Sequence, residues 1–143
     1  MLLLDVNIVL GAVRPDLNPE SKVVRRWVED ALNGVERVGV CDVVLASTIR
    51  LATNPRMMNN PSGPDSAFDA VAEIRSGPAA VVVVPTSRHW GIFGGLVKTY
   101  RLRANDIPDA WLAALALDHG ATLVTRDRGF ARFEGLRTLN PVA

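Results

Sequence analysis

Short apolar runs alternate with longer amphipathic segments along most of the chain. The runs are rich in Val, Leu and Ile and have few polar interruptions, which predicts strands that are covered on both faces. The longer segments repeat apolar residues every three to four positions, which predicts helices. Because strands and helices alternate, the pattern predicts a three-layer α/β/α domain with a mainly parallel central sheet.

Glycine, proline and capping residues set the boundaries of these predicted elements. Strands are predicted at residues 2–6, 38–41, 81–84, 121–125 and 136–139. The third of these is expected to be fully buried, and the last to lie at a sheet edge. A helical turn is predicted at residues 8–13, and helices at 18–33, 42–53, 64–76, 88–100 and 106–119. Phe68 and Trp90 fall on the apolar sides of two helices, so both are predicted to pack in the core.

A length of 143 residues, 48% of them hydrophobic and 22% charged, predicts a single globular domain spanning residues 1–143. Cys41 is the only cysteine, which excludes an intramolecular disulfide framework, and two separated histidines argue against a zinc cluster. No apolar run reaches the length of a membrane span, and Asp5 interrupts the apolar start. We therefore expect a soluble, cytoplasmic protein without a membrane partner.

Three aspartates fall where an α/β sheet collects ligands. Asp5 and Asp127 come at or just after the ends of predicted strands, and Asp109 lies in the first turn of the predicted helix 106–119. Ligands of open α/β sheets bind beyond the carboxyl ends of the strands, so the three carboxylates are expected to converge. Carboxylates this close repel each other unless a cation such as Mg²⁺ or Mn²⁺ binds between them. Alternatively, Asp5 or Asn7 only caps the helical turn that follows.

A divalent ion held by carboxylates and water is suited to phosphodiester hydrolysis, because it polarises phosphoryl oxygens and activates a water. The net charge of +1 predicts that any contact with nucleic acid depends on a local patch. Arginine predominates among the basic residues, and its planar guanidinium suits phosphate binding. The arginines predicted near the site are Arg14, Arg50, Arg56, Arg101, Arg103, Arg126 and Arg128.

Three segments resemble motifs of the PIN-domain ribonucleases, specifically the VapC-type toxins of bacterial toxin–antitoxin pairs. The first, MLLLDVNIVL, resembles the family's opening strand, and IPDAWLAALALDHGATLVTRDRGF resembles its acidic helix and following strand. The third, ASTIRLATNPR at 46–56, resembles a segment of one VapC subgroup. The resemblance implies Mg²⁺-dependent endonucleolytic RNA cleavage, growth inhibition, homodimerisation and neutralisation by a VapB-type antitoxin. It also implies that Asp5, Asp109 and Asp127 are catalytic and bind the metal.

The chain departs from the family pattern at two places. Most relatives carry a glutamate on the helix where this chain has DVVLASTIR, and neither Leu45 nor Ser47 can replace it as a ligand. Gly129 stands where many relatives have a second aspartate. Fewer carboxylates leave more of the metal shell to water, so we expect weak Mg²⁺ binding and better activity with Mn²⁺. Asp106 is either a compensating carboxylate or a helix cap.

Other polar residues are candidates for supporting the site or binding substrate. Ser47 shares one helix stripe with Arg50 and Asn54, a pattern that is also typical of a solvated helix face. The full set of such candidates is Asn7, Ser47, Arg50, Asp106 and Arg126.

Two other functions are compatible with the residues. Asp5 could be the nucleophile of a phosphotransfer domain, although Lys22 and Lys98 are the only lysines and neither follows a predicted strand. A degenerate domain that binds RNA or protein without cleavage would explain the missing glutamate.

The predicted helix 88–100 offers a surface for self-association. Gly91, Gly94 and Gly95 permit close approach, and Trp90 and Phe93 would provide apolar anchors for a homodimer. The alternative is that both aromatic residues fill the core of the domain.

Overall fold

In the computed structural model, which describes residues 1–143, five strands form one sheet in the order β3-β2-β1-β4-β5. The strands are β1 (Leu2–Leu4), β2 (Val38–Val40), β3 (Ala80–Val82), β4 (Thr122–Val124) and β5 (Thr138–Leu139). β1 lies in the middle, where Leu3 is in register with Gly39 of β2 and Leu123 of β4. The predicted parallel sheet is confirmed, and every pair of neighbouring strands in it is parallel.

Six helices flank the sheet: α1 (Val6–Val13), α2 (Pro19–Leu32), α3 (Asp42–Ala52), α4 (Pro64–Arg75), α5 (His89–Thr99) and α6 (Asp106–His119). α1 packs against α2 and α3, and α3 packs against α4, whereas α5 packs against α6. These two groups agree with the predicted three-layer architecture. None of the helices is long and apolar enough to cross a membrane.

Local sequence explains where several helices begin and end. The side chain of Asn18 accepts a hydrogen bond of 2.9 Å from the backbone N–H of Ser21, and Pro19 occupies the first position of α2. Gly120 ends α6 with a φ of 62°, a left-handed conformation that other residues adopt only at a cost. The chain can therefore turn sharply from α6 into β4.

Two predictions about burial are wrong. The strand predicted at 81–84 is shorter and begins earlier, as β3, and its residues are only half-buried because it is an edge strand with one neighbour. Val84 is 62% exposed. Phe68 and Trp90, both predicted to be in the core, are 60% and 76% exposed, and Phe68 borders a groove between α3 and α4.

Candidate active site

The carboxyl ends of β1 and β4 form the edge where the candidate site lies. The two strands are neighbours in the sheet, and the backbone N–H of Asp5 donates to the carbonyl of Val124 at 3.0 Å. The sheet extends through β2 on one side of β1 and through β4 on the other, so this edge is a topological switch point. The residue after β1 and the residues after β4 are therefore brought side by side.

Asp5 is buried, with 8% of its surface exposed, and hydrogen bonds hold its carboxylate. One oxygen accepts from the backbone N–H of Val6 at 2.6 Å, so Asp5, and not Asn7, caps α1. The other oxygen accepts from the Thr125 hydroxyl at 2.7 Å and from the Asn7 amide at 3.2 Å. Burial raises the pKa of Asp5, although these hydrogen bonds favour the charged form. Capping leaves the carboxylate free to accept further bonds.

Thr125 connects Asp5 with the segment that carries Asp127. Its buried hydroxyl donates to Asp5 and accepts from the backbone N–H of Asp127 at 3.0 Å. Asn7 completes the connection, because its side-chain oxygen accepts from the backbone N–H of Arg126 at 3.1 Å. Sequence reasoning missed Thr125, since a β-branched residue at a strand end is explained by strand propensity. The available signal was a polar residue directly before the Arg126–Asp127 pair.

Asp109 lies in the first turn of α6, where the charges of the other two aspartates act on its carboxylate. Burial and the negative charges of Asp127 and Asp5 raise its pKa to about 6, and only Arg132 opposes this shift. We call the set of Asp5, Asp109 and Asp127 the acidic site. The charges of Asp5 and Asp127 thus act on Asp109, and the shared metal-binding role of the three aspartates stays a prediction.

The acidic site does not form a closed coordination set. No three His, Cys, Asp or Glu side chains converge closely enough to hold a metal as they stand. Asp127 is exposed, and its carboxylate accepts from the backbone N–H of Gly129 at 2.8 Å, capping a short 3-10 helix at Arg128–Arg132. The donors are all carboxylate oxygens, which suit a hard cation that keeps several waters.

The PIN domain family matches residues 2–136 of this chain. The chain belongs to the PIN domain family. It is 42% identical to VapC ribonuclease Mb2897 of Mycobacterium bovis over 99% of this chain and 96% of that protein. It is also 38% identical to ribonuclease VapC37 of Mycobacterium tuberculosis over 100% of this chain and 99% of that protein.

Two solved structures share the PIN-domain fold. One is VapBC2 from Rickettsia felis bound to a promoter DNA fragment, with a TM-score of 0.70, 17% identity and 97% of both chains covered. The other is VapBC-1 from nontypeable Haemophilus influenzae, with a TM-score of 0.69, 19% identity and coverage of 99% of this chain and 98% of that chain. The five-stranded architecture is therefore that of known PIN domains.

The prediction that Asp106 caps the acidic helix of the PIN domain is wrong. The backbone is already helical at Asn105, and no side chain caps α6. The backbone N–H of Asp106 bonds instead to the carbonyl of Arg103 at 3.1 Å, so Asp106 is the first residue inside the helix. Its carboxylate lies 3.4 Å from the guanidinium of Arg132, a residue that sequence reasoning missed.

Helix α3 is where most PIN-domain relatives, by the resemblance, would carry the missing glutamate. Leu45 is buried in the core, and Ser47 is half-buried. Neither Ser47 nor the exposed Arg50 makes a side-chain hydrogen bond to the acidic site. Asn54, the third member of the stripe, accepts from the backbone N–H of Arg56 at 2.9 Å and so stabilises the turn after α3.

Some of the arginines predicted to form one basic patch are paired with carboxylates, and the others are exposed. The prediction that Arg14 belongs to the patch is wrong. Its residue surface is only 9% exposed, and its guanidinium donates two hydrogen bonds, of 2.9 and 2.8 Å, to Asp16. Arg126 is paired with Glu20 on α2. The remaining candidates are exposed, and they are Arg50, Arg56, Arg101, Arg103 and Arg128.

Proposed function

We propose that this PIN domain is a metal-dependent endoribonuclease of the VapC type, which acts as the toxin of a type II toxin–antitoxin pair. The observation that carries the proposal is the placement of Asp5 and Asp127 just after the paired strands β1 and β4, at the switch point of the sheet, where their charges help raise the pKa of Asp109. Relatives that match nearly the whole chain are named ribonucleases, which supports RNA as the substrate.

Mg²⁺ is the proposed cofactor, with Mn²⁺ as an effective substitute. When bound, a divalent ion supplies charge neutralisation at the phosphoryl group and activation of a water. Asp5, Asp109 and Asp127 would hold it, and what supports this is the chemistry of their carboxylate oxygens, which suit a hard cation that keeps much of its water shell. The three side chains do not converge on one point as they stand. Mn²⁺ tolerates irregular geometry better, so it should support more activity.

The chain itself positions the reacting groups. Thr125 and Asn7 fix the orientation of the Asp5 carboxylate through hydrogen bonds of 2.7 and 3.2 Å. The amino end of α6 offers RNA few backbone donors, because the N–H groups of Asp106 and Ile107 each donate at 3.1 Å to the carbonyls of Arg103 and Ala104, and Pro108 has no N–H. RNA would approach along the carboxyl edge of the sheet, where Asp5 and Asp127 follow β1 and β4.

The proposed partners are cellular RNA, an inhibitory VapB-type antitoxin and a second copy of the chain. The solved structures with this fold include VapBC structures and FitAB bound to a DNA fragment, which supports an antitoxin as the partner that silences the site. Free activity would inhibit growth in the cytoplasm, where the RNA substrate is found.

The test is to express the wild-type chain and the Asp5→Asn variant inducibly and to map new RNA ends in the cell. We expect growth arrest and Mg²⁺-dependent cleavage with wild type, and neither with Asp5→Asn or Asp109→Asn. Asp30→Asn, a change at an exposed position of α2, is the control and should behave as wild type. If purified wild type binds RNA but never cleaves it, the chain is instead a degenerate, non-catalytic PIN domain.

A further inference from the structure

Arg132 borders the acidic site, and its guanidinium is only loosely engaged. Its Nη2 lies 3.4 Å from Asp106 and 4.0 Å from Asp109, and the second distance is too long for a hydrogen bond. By contrast, Arg14 makes two short hydrogen bonds to a single carboxylate. Arg132 therefore keeps most of its N–H donors available for another acceptor.

An aromatic platform fixes the position of this guanidinium. The Arg132 guanidinium carbon lies 4.7 Å from the ring centroid of Phe133, which is 2% exposed. Tyr100 packs edge-on against Phe133 at 5.2 Å between centroids, and Phe130 packs at 6.2 Å. Because the ring below cannot move, the guanidinium is held in place before any ligand arrives.

Gly129 lies between Asp127 and the guanidinium of Arg132. A Cβ atom at position 129 would lie 3.5 Å from Nη1 of Arg132, which is an ordinary contact, and 3.0 Å from the Asp127 carboxylate oxygen, which is tight. The guanidinium thus reaches from Asp106 and Asp109 on α6 to the turn that follows Asp127. The absent side chain at 129, which departs from the family pattern, avoids crowding against the Asp127 carboxylate.

A phosphate that enters the acidic site meets concentrated negative charge, which a cationic side chain can offset together with a bound divalent ion. Arg14 and Arg126 are committed to Asp16 and Glu20, whereas the guanidinium of Arg132 lies 4.0 Å from the Asp109 carboxylate. We infer that Arg132 binds a phosphate oxygen of the RNA backbone at the acidic site, and that Asp106 holds the guanidinium there until RNA replaces it. This inference rests on the proposed ribonuclease function, and it assigns a substrate-binding residue to that reaction.

The test measures RNA binding separately from cleavage. Affinity of a short, labelled single-stranded RNA is measured across a salt series in the Asp5→Asn background, with Arg132→Ala, Arg132→Lys and Arg37→Ala added. Arg37 is the matched control, since it is exposed and lies at the amino ends of the strands, opposite the acidic site. Thermal unfolding of each variant separates binding defects from misfolding, and Arg132→Gln replaces Arg132→Ala if that variant does not fold.

We expect Arg132→Ala to weaken binding and to reduce the slope of log affinity against log salt by about 0.7, the value for one phosphate contact on a single strand. Arg132→Lys should keep the slope and lose part of the affinity, whereas Arg37→Ala should change neither. A purely structural role would lower thermal stability and leave the slope unaltered, and that result would overturn the inference. Wild-type cleavage is assayed in parallel, so failure of the ribonuclease proposal is seen independently of the slope.

Discussion

Asp5 combines two roles that sequence reasoning treats as alternatives. Its carboxylate caps α1 and is also fixed by Thr125 and Asn7 from the neighbouring strand end and helix. A buried carboxylate without such donors would be protonated or would destabilise the fold. The same hydrogen bonds that make Asp5 tolerable also hold it in one orientation for binding a cation.

The Thr125 hydroxyl should matter for activity beyond its effect on stability. We expect Thr125→Val to lower the free energy of unfolding by about 1–3 kcal/mol, because buried Asp5 loses a donor. Cleavage should fall about 10- to 100-fold, as when a group that orients a metal ligand is removed.

Thr48→Val is the control for that variant. Thr48 is also fully buried, but its hydroxyl donates only to the carbonyl of Val44 within α3. Thr48→Val should lower the free energy of unfolding in a denaturant titration. In a kinetic assay it should keep the wild-type rate of cleavage per folded molecule. Equal losses of cleavage in the two variants would contradict a specific role for Thr125.

The raised pKa of Asp109 predicts how stability depends on pH in the absence of divalent ions. Its folded pKa is about 6, against an ordinary value of 3.8, so between these values the folded chain binds more protons than the unfolded chain. The contribution of Asp109 to the free energy of unfolding is therefore complete below pH 3.8 and is lost as the pH rises through about 6.

Thermal unfolding across this range in EDTA should show stability falling for wild type and falling less for Asp109→Asn. Asp127→Asn should lower the pKa of Asp109, measured by NMR titration, because the charge of Asp127 is the largest cause after burial. An unchanged Asp109 pKa in Asp127→Asn would show that the two carboxylates are not neighbours.

Strand ends and helix starts made the positions of the three aspartates in the fold predictable, because each position is specified by residues next to it in sequence. Thr125 and Arg132 were not predictable in this way. Thr125 contacts Asp5 across 120 residues, and Arg132 contacts Asp106 across 26. Their roles depend on which segments the fold brings together, and no local pattern carries that information.

Among the elements, periodicity predicted the helices well and burial at the periphery poorly. The end of α6 at His119 was predicted correctly because Gly120 adopts a left-handed conformation there. The burial of β3 and the cap of α6 were predicted wrongly. Both depend on neighbouring segments, because an edge strand lacks a second neighbour and the entry into a helix follows the preceding loop. The helix entry is determined by the turn at residues 101–104, where Arg101 and Ala104 each have a φ of 52°.

The orientation of α3 relative to the acidic site is open to a direct test. If the site lacks only the glutamate that relatives carry on this helix, Ser47→Glu should increase Mn²⁺ affinity measured by calorimetry. Ala46→Glu is the control, since Ala46 is exposed and borders the groove between α3 and α4. An identical titration for wild type and Ser47→Glu would show that Ser47 does not face the metal.

For the whole molecule, the exposure of Trp90 bears on self-association. The side chain does not fill the core, and nothing lies within 4 Å of a Cβ added at Gly91, Gly94 or Gly95. An exposed tryptophan beside open glycines favours an apolar contact with another copy. We expect a dimer by light scattering at micromolar concentration.

Trp90→Glu should shift that dimer to monomer without loss of helical signal. Phe68→Glu is the matched control, because Phe68 is a second exposed aromatic residue but lies on α4. A monomeric mass for the wild-type chain would count against the α5 surface, and so would dissociation by Phe68→Glu alone.

The pairing of β1 with β4 also determines when the site can exist during synthesis. Leu4 is in register with Val124, so the central strand acquires this neighbour only after more than a hundred further residues have been made. Until then a nascent chain carries Asp5 but has no Thr125 to orient it and no Asp127 beside it. A ribosome translating this protein is therefore not exposed to a nuclease assembled on its own growing chain.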